Sequence, residues 1–252
     1  MSAAKVELGR FLFYDTKLSN NQTMSCGSIC HRQETGFASN RRGAVGSTGE
    51  HHRRNSMGLT NIAYASRLTW AHPLTDSLEA QLLVPLFGDN PIELGMPSED
   101  ILLKRFQADE RYRALFKKAF LKEDTPISTK NVAKAIAAFE RTLLSVNSPY
   151  DKFLQANTDA LSASAHRGMT LFFSERLECF HCHGGFNFSN SVNHMGLVDA
   201  ERAFHNTGLY NEDGKGAYPK DDRGLLGLTE QARDMGKFKA PTLRNIAVTA
   251  PY

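Results

Sequence analysis

The residues best suited to chemistry are Cys179-Phe180-His181-Cys182-His183. Two cysteines separated by two residues, with a histidine directly after, form the attachment pattern of c-type haem. Each sulfur can form a thioether with one vinyl group of a porphyrin. His183 then offers an imidazole nitrogen to the iron from one face of the ring. A short helical turn puts all three side chains on one side of the chain, as a flat cofactor requires. Zinc and redox-dithiol readings of C-x-x-C compete with this one.

A second group, Cys26-Gly27-Ser28-Ile29-Cys30-His31, has the same order but three residues between the cysteines. Cys26 and Cys30 would be the thioether donors and His31 the proximal ligand. The alternative is a disulfide, or free thiols beside a surface histidine. The extra residue turns the second sulfur by about 100° around a helix. The turn must therefore deform, or one thioether fails to form.

The elements that must position these groups read as helices. Val6, Leu8, Leu12 and Phe13 suit a short helix ending near Asp15, and residues 16 to 25 read as a polar loop. Residues 36 to 56 are rich in Gly, Arg, Ser and Asn and form a long irregular loop. Its run His51-His52-Arg53-Arg54 can bind haem propionates or be a solvated basic surface. His51 or His52 is either a surface group or a distal iron ligand. Trp70, the one tryptophan, reads as core or half-buried. Residues 77 to 84 read as a helix that Pro85 stops or kinks, and residues 91 to 95 as a turn carrying Glu93. Helices follow from Ser98, over about 108–120, and after Ser128, where Val132, Ile136, Phe139 and Leu143 recur at three- and four-residue steps. Residues 145 to 160 read as a polar, turn-forming joint. Ser162 caps a helix running through Met169, Leu171 and Phe172 into the Cys179 group. No strand stands out.

The fold class is therefore mostly α, with little or no sheet and two halves that each hold one Cys-Cys-His group. The expected division is residues 1–150 and 151–252. Bulk properties agree with a globular protein: 252 residues, 41% hydrophobic and 23% charged. A net charge of +3 is too mild to argue for nucleic acid or an anionic membrane. No apolar run is long enough to span a bilayer. The first residues carry no apolar signal core, and Thr249-Ala250-Pro251-Tyr252 reads as an interruption rather than an end.

These residues carry a resemblance to the bacterial di-haem cytochrome c peroxidase/MauG superfamily. It rests on Leu8-Gly9-Arg10-Phe11-Leu12-Phe13-Tyr14-Asp15, Gly36-Phe37-Ala38 and Arg54-Asn55-Ser56-Met57 with Leu59-Thr60-Asn61. Further on come the Cys179 group, Phe204-His205-Asn206-Thr207-Gly208, Asp222-Arg223-Gly224 and Lys237-Phe238-Lys239-Ala240-Pro241-Thr242-Leu243-Arg244-Asn245. The stretch from Leu68 to Gly88 looks closest to the methanobactin-associated, MbnH-like branch.

The resemblance implies two cytochrome c-like domains, two covalently bound haem c groups and a calcium ion between the domains. It assigns His31 to the peroxide-reacting haem and His183 to the electron-transfer haem. Trp70 would couple the two, while Gln81, Pro85 and Glu93 would line the distal pocket of the first. Asn55, by its side chain, and Thr249 and Pro251, by their carbonyls, would ligate calcium, a cation that takes oxygen donors. The expected activity is oxidation by hydrogen peroxide. Electrons would come from a periplasmic redox protein (a small cytochrome c or copper protein) or from the side chains of a protein substrate. A periplasmic location and a monomer or homodimer go with it. The competing readings are a non-catalytic electron-transfer cytochrome and a zinc or structural module. The family pattern continues beyond Tyr252 with a segment carrying the second iron's distal Met or Tyr, so weaker stability than a longer relative is expected.

Overall fold

A computed structural model describes residues 1–75, 77–198 and 204–251. Eleven α-helices occur among them: α1 (Ala3–Phe13), α2 (Leu78–Gln81), α3 (Leu83–Phe87), α4 (Glu99–Gln107), α5 (Glu110–Ala119), α6 (Thr129–Glu140), α7 (Pro149–Leu154), α8 (Ala163–Phe172), α9 (Phe180–His183), α10 (Leu226–Thr229) and α11 (Ile246–Thr249). Pairing between extended segments is confined, among the described residues, to isolated bridges such as Arg32 with Ala38 and His205 with Phe238. The mostly α architecture expected from the periodicity holds.

The chain divides into two compact units. The first comprises residues 1–63, 75–143 and 245–252, the second residues 64–74 and 144–244. The division departs from a single cut at residue 150. The segment carrying Trp70 belongs with the second unit, and the last eight residues belong with the first.

In the first unit, α1 lies on α6. The approach is close because Gly9 has no side chain: a Cβ there would sit 1.8 Å from the Ala135 carbonyl oxygen. Leu8, Leu12 and Phe13 of α1 are buried with Val132, Ala135 and Ile136 of α6. Ser2, Ser98, Asp109 and Ser128 each accept a hydrogen bond from the first turn of the helix they cap. Arg105 of α4 donates to the carbonyls of Lys17, Ser19 and Asn20 at 2.6–2.8 Å and so holds the loop before the first cysteine.

In the second unit, Tyr150, Phe172, Phe173 and Phe188 form a ring cluster. Arg244 and Asp151 make a buried ion pair.

Three local expectations are corrected. The helix from Ser77 breaks before Pro85: α2 ends at Gln81 and α3 begins at Leu83. A proline lacks the N–H that the carbonyl four residues earlier needs and crowds that carbonyl. For Pro85 that carbonyl belongs to Gln81. The joint at 145–160 contains α7, because Ser148-Pro149 is a helix start. Ser148 caps, Pro149 takes the first helical position, and Asp151 returns a bond to the cap in a capping box. The helix from Ser162 ends at Phe172, and the second cysteine group sits in its own short helix, α9.

Candidate haem sites and the pocket beside the first

The first cysteine group folds as a π turn over Cys26–Cys30. Its closing bond runs from the His31 N–H to the Cys26 carbonyl at 2.8 Å, spanning five residues. In the second group the equivalent bond runs from the His183 N–H to the Cys179 carbonyl at 3.0 Å, spanning four. The two turns thus close between the same chemical positions, and the π turn absorbs the inserted residue. A turn closed over one more residue advances by roughly 80° per residue instead of 100°. Four such steps make about 320°, against about 300° for three ordinary steps, so the second cysteine returns to nearly the same face.

Local contacts stabilise this uncommon turn. The Ser25 N–H donates to Ser28 Oγ at 2.8 Å, and Ser28 Oγ donates to the Ser25 carbonyl at 3.1 Å. Tyr14 covers Gly27 so closely that a Cβ there would lie 2.3 Å from the ring. Tyr14 itself packs edge-on against Phe13, whose ring lies 6.3 Å from that of His31. The aromatic end of Leu8–Asp15 is thus the wall on which the first site is built.

Each histidine is braced alike. His31 Nδ1 is 2.9 Å from the Phe37 carbonyl, and His183 Nδ1 is 3.2 Å from the Phe188 carbonyl. A carbonyl only accepts, so Nδ1 carries the hydrogen in both rings and Nε2 keeps its lone pair for a metal. Phe37 and Phe188 both have left-handed backbones, with φ of 59° and 49°. Such conformations are uncommon for bulky residues, and here they turn the carbonyls back toward the histidines. Burial lowers the His31 pKa and favours the neutral imidazole that ligation needs.

None of the four cysteines is paired in a disulfide. Around α9, Leu171, Phe173 and Leu177 are 41%, 39% and 50% exposed, an apolar surface suited to a flat apolar ring. Spacing, histidine tautomer and apolar seat together fit covalently attached haem at both groups.

The distal candidates gather in the first unit. Gln81 ends α2, which a bidentate Arg141–Glu79 pair at 2.7 and 2.8 Å ties to α6. The turn carrying Glu93 docks on α3: the Leu94 N–H donates to the Pro85 carbonyl at 2.9 Å and the Met96 N–H to the Leu86 carbonyl at 2.8 Å. Pro85 and Glu93 are thereby neighbours. Burial raises the Glu93 carboxyl, and the nearby His52 opposes that shift. Burial also raises both thiols of the first turn, Cys30 to about 11; the Glu140 carboxylate and, less so, that of Glu93 add to the Cys26 shift, and Glu93 adds to that of Cys30.

Of the proposed calcium ligands, Asn55 and Pro251 meet, with Asn55 Nδ2 3.4 Å from the Pro251 carbonyl. A Cβ on Gly36 would lie 3.2 Å from Thr249 Cγ2. Trp70 lies in the second unit, where its carbonyl accepts from the Lys239 N–H at 2.8 Å. Lys239 is buried, donates from Nζ to the Arg67 carbonyl at 3.0 Å, and has its pKa pulled down to about 8 by burial.

Sequence reasoning missed two supports. One is the carbonyl brace on each histidine, whose only trace is a Phe six residues after His31 and five after His183. The other is Arg244, which donates through Nε to the Phe186 carbonyl at 2.7 Å and grips Asp151. With the Leu243 N–H on the Phe188 carbonyl at 3.3 Å, Arg244 holds the loop that braces His183.

Comparisons with known proteins agree with this geometry. The family model for di-haem cytochrome c peroxidase matches residues 3–159. Cytochrome c551 peroxidase of Pseudomonas aeruginosa is 31% identical over all of this chain and 68% of its own length. Cytochrome c peroxidase Ccp of Escherichia coli is 31% identical over 99% of this chain, which spans about half of that relative. A crystal structure of a MauG-like protein associated with microbial copper homeostasis matches with a TM-score of 0.96 and 46% identity, covering 100% of this chain and 72% of the other. The chain belongs to the di-haem cytochrome c peroxidase/MauG family. It is a di-haem member: that family's two haem c groups are covalently bound, and each has a Cys-Cys-His set here.

Proposed function

We propose that this chain is the peroxide-reacting part of a di-haem oxidoreductase. The observation that carries the reading is the carbonyl brace behind His31, with the half-buried Glu93 on a turn docked against Pro85 in the same unit. When bound, the first haem supplies an iron that can take up peroxide and the second a store for an oxidising equivalent. His31 would hold the first iron through Nε2, with its Nδ1 fixed by the Phe37 carbonyl. Glu93 would carry a proton between the two peroxide oxygens, the transfer that helps O–O cleavage. Gln81 and Pro85 shape the same pocket: Gln81 offers an amide donor and acceptor, and Pro85 offers no N–H. His183 would hold the second iron, and Trp70, in the same unit, would serve as an electron relay. Asn55, Thr249 and Pro251 supply oxygen donors for calcium.

The electron source is a periplasmic redox protein or the side chains of a protein substrate. Similarity to the MauG-like structure supports the second, and the peroxidase relatives support the first. Among the described residues no helix is long and apolar enough to cross a membrane. Haem c maturation outside the cytoplasm supports a periplasmic site for both readings.

The test is a visible spectrum of the holoprotein before and after one equivalent of peroxide. Rapid loss of ferric signal, abolished in Glu93→Gln, is expected. Two six-coordinate low-spin haems inert to peroxide would instead mark a non-catalytic electron-transfer cytochrome.

A further inference from the structure

We propose that His52 is the residue through which Glu93 exchanges protons with solvent; this rests on Glu93 being the proton carrier of the reaction. The loop over residues 43–54 folds back on itself. The His52 N–H donates to the Ala44 carbonyl at 2.8 Å, the Ala44 N–H to the Arg54 carbonyl at 3.2 Å, and the Gly46 N–H to the Glu50 carbonyl at 2.9 Å. The folded loop then clasps the turn that bears Glu93. The Ser47 N–H donates to the Glu93 carbonyl at 2.7 Å, the Ile92 N–H donates to Glu50 Oε2 at 3.3 Å, and a Cβ on Gly46 would lie 1.8 Å from the Ile92 carbonyl. His52 Nε2 lies 3.3 Å from that same carbonyl. The ring is thus fixed one residue from Glu93, with Nε2 as the donor and Nδ1 left as the base.

This placement decides between the roles open to the histidine pair. His51 is exposed. His52 is half-buried and is bonded to the Ile92 carbonyl, one residue from Glu93. Its Nε2 is spent on the Ile92 carbonyl, which leaves it ill placed as a distal iron ligand.

Around Glu93, His52 comes from the clasping loop, and the Cys26 and Cys30 sulfurs come from the first attachment turn. Glu50 reaches the same turn through the Ile92 N–H, and Arg53 and Arg54 follow His52 along the loop.

The chemistry requires such a group. Reducing one peroxide to two waters takes up two protons with two electrons. A buried carboxyl that only moves a proton between the two oxygens adds none from outside. An imidazole has two ring nitrogens and can take a proton on one while donating from the other. Nδ1 first takes a proton from water, the Nδ1–H of the resulting imidazolium passes it to the Glu93 carboxylate, and Nε2–H stays on the Ile92 carbonyl throughout. Only N–H and O–H bonds change, and no electron moves.

The test compares the full-length holoprotein with His52→Gln, His52→Phe and Glu93→Gln, reading peroxide consumption against pH, haem content and the resting spectrum. His52→Gln keeps an N–H for the Ile92 carbonyl, so it preserves the clasp while removing the titrating group. Both His52 variants are expected to slow turnover roughly 10-fold or more, to flatten the neutral limb of the pH profile and to recover with added imidazole. Haem content and resting spectrum should match the parent. A parental rate and profile in His52→Gln beside an impaired Glu93→Gln overturns the His52 assignment alone, as does a resting spectrum showing loss of an iron ligand. A parental rate in Glu93→Gln overturns the reading of Glu93 beneath it.

Discussion

Replacing Arg244 by Met should destabilise the second unit far more than an exposed ion-pair deletion would. Arg244 Nη1 and Nη2 meet Asp151 Oδ2 and Oδ1 at 2.9 and 2.7 Å, in a side chain only 3% exposed. The pair holds Asp151 well below the usual carboxylate range. Removing the cation strands a buried carboxylate, a change that costs about 3–5 kcal/mol where one partner of a buried pair is lost. At about 2–4 °C per kcal/mol for a chain of this size, the melting point should fall by about 6–20 °C. The loss includes the bond to the Phe186 carbonyl, so the His183 brace should loosen with it. Thermal melting of the holoprotein by circular dichroism, in parallel with the second haem's absorption, measures both. Because Asp151 is depressed on folding, the pair's contribution is present above the unfolded carboxyl pKa near 3.9 and is lost as pH falls through the folded value. Arg244→Met should therefore lose the parent's acid limb, and the double variant Arg244→Met/Asp151→Leu should recover part of the stability. A single variant melting within about 2 °C of the parent would show that the pair contributes no more than a surface one.

Four further outcomes are expected. Peptide mass and the pyridine haemochrome band should show both Cys26 and Cys30 as thioethers, with Cys26→Ala and Cys30→Ala each losing one; a single thioether in the parent would refute the π-turn geometry. Deleting Ile29 restores a two-residue spacing and should leave both bonds formed with haem content unchanged. Gly27→Ala, which drives a methyl into the Tyr14 ring, should lower haem loading at the first site while leaving the second as in the parent. Burial raises Glu140 of α6 to about 8, so folding stability is fully present below the unfolded pKa near 4.5 and falls as pH rises through 8; Glu140→Gln should flatten that alkaline loss, and an unchanged melting–pH curve would refute it.

The chemistry of this chain was legible in its sequence to the extent that it is written in residue types at short spacing. Two Cys-Cys-His groups carry their own geometry, because thioether attachment and proximal ligation need only neighbouring positions. The helices are equally local: Ser, Asp and Pro mark their starts, and three- and four-residue steps of apolar side chains define α6. Tertiary packing decided what these signals leave open. That the extra residue in the first group bends into a π turn follows from Ser25, Ser28 and the Tyr14 ring pressing on Gly27. That His52, not His51, bonds the Ile92 carbonyl beside Glu93 follows from the clasp between residues 43–54 and the turn at 92–94. Segments more than fifty residues apart supply the Arg244–Asp151 pair, and no spacing rule links them. Local order encodes which groups bind; the proton path and the rigidity behind each histidine come from contacts between distant segments, whose cost in chain entropy only the folded core offsets.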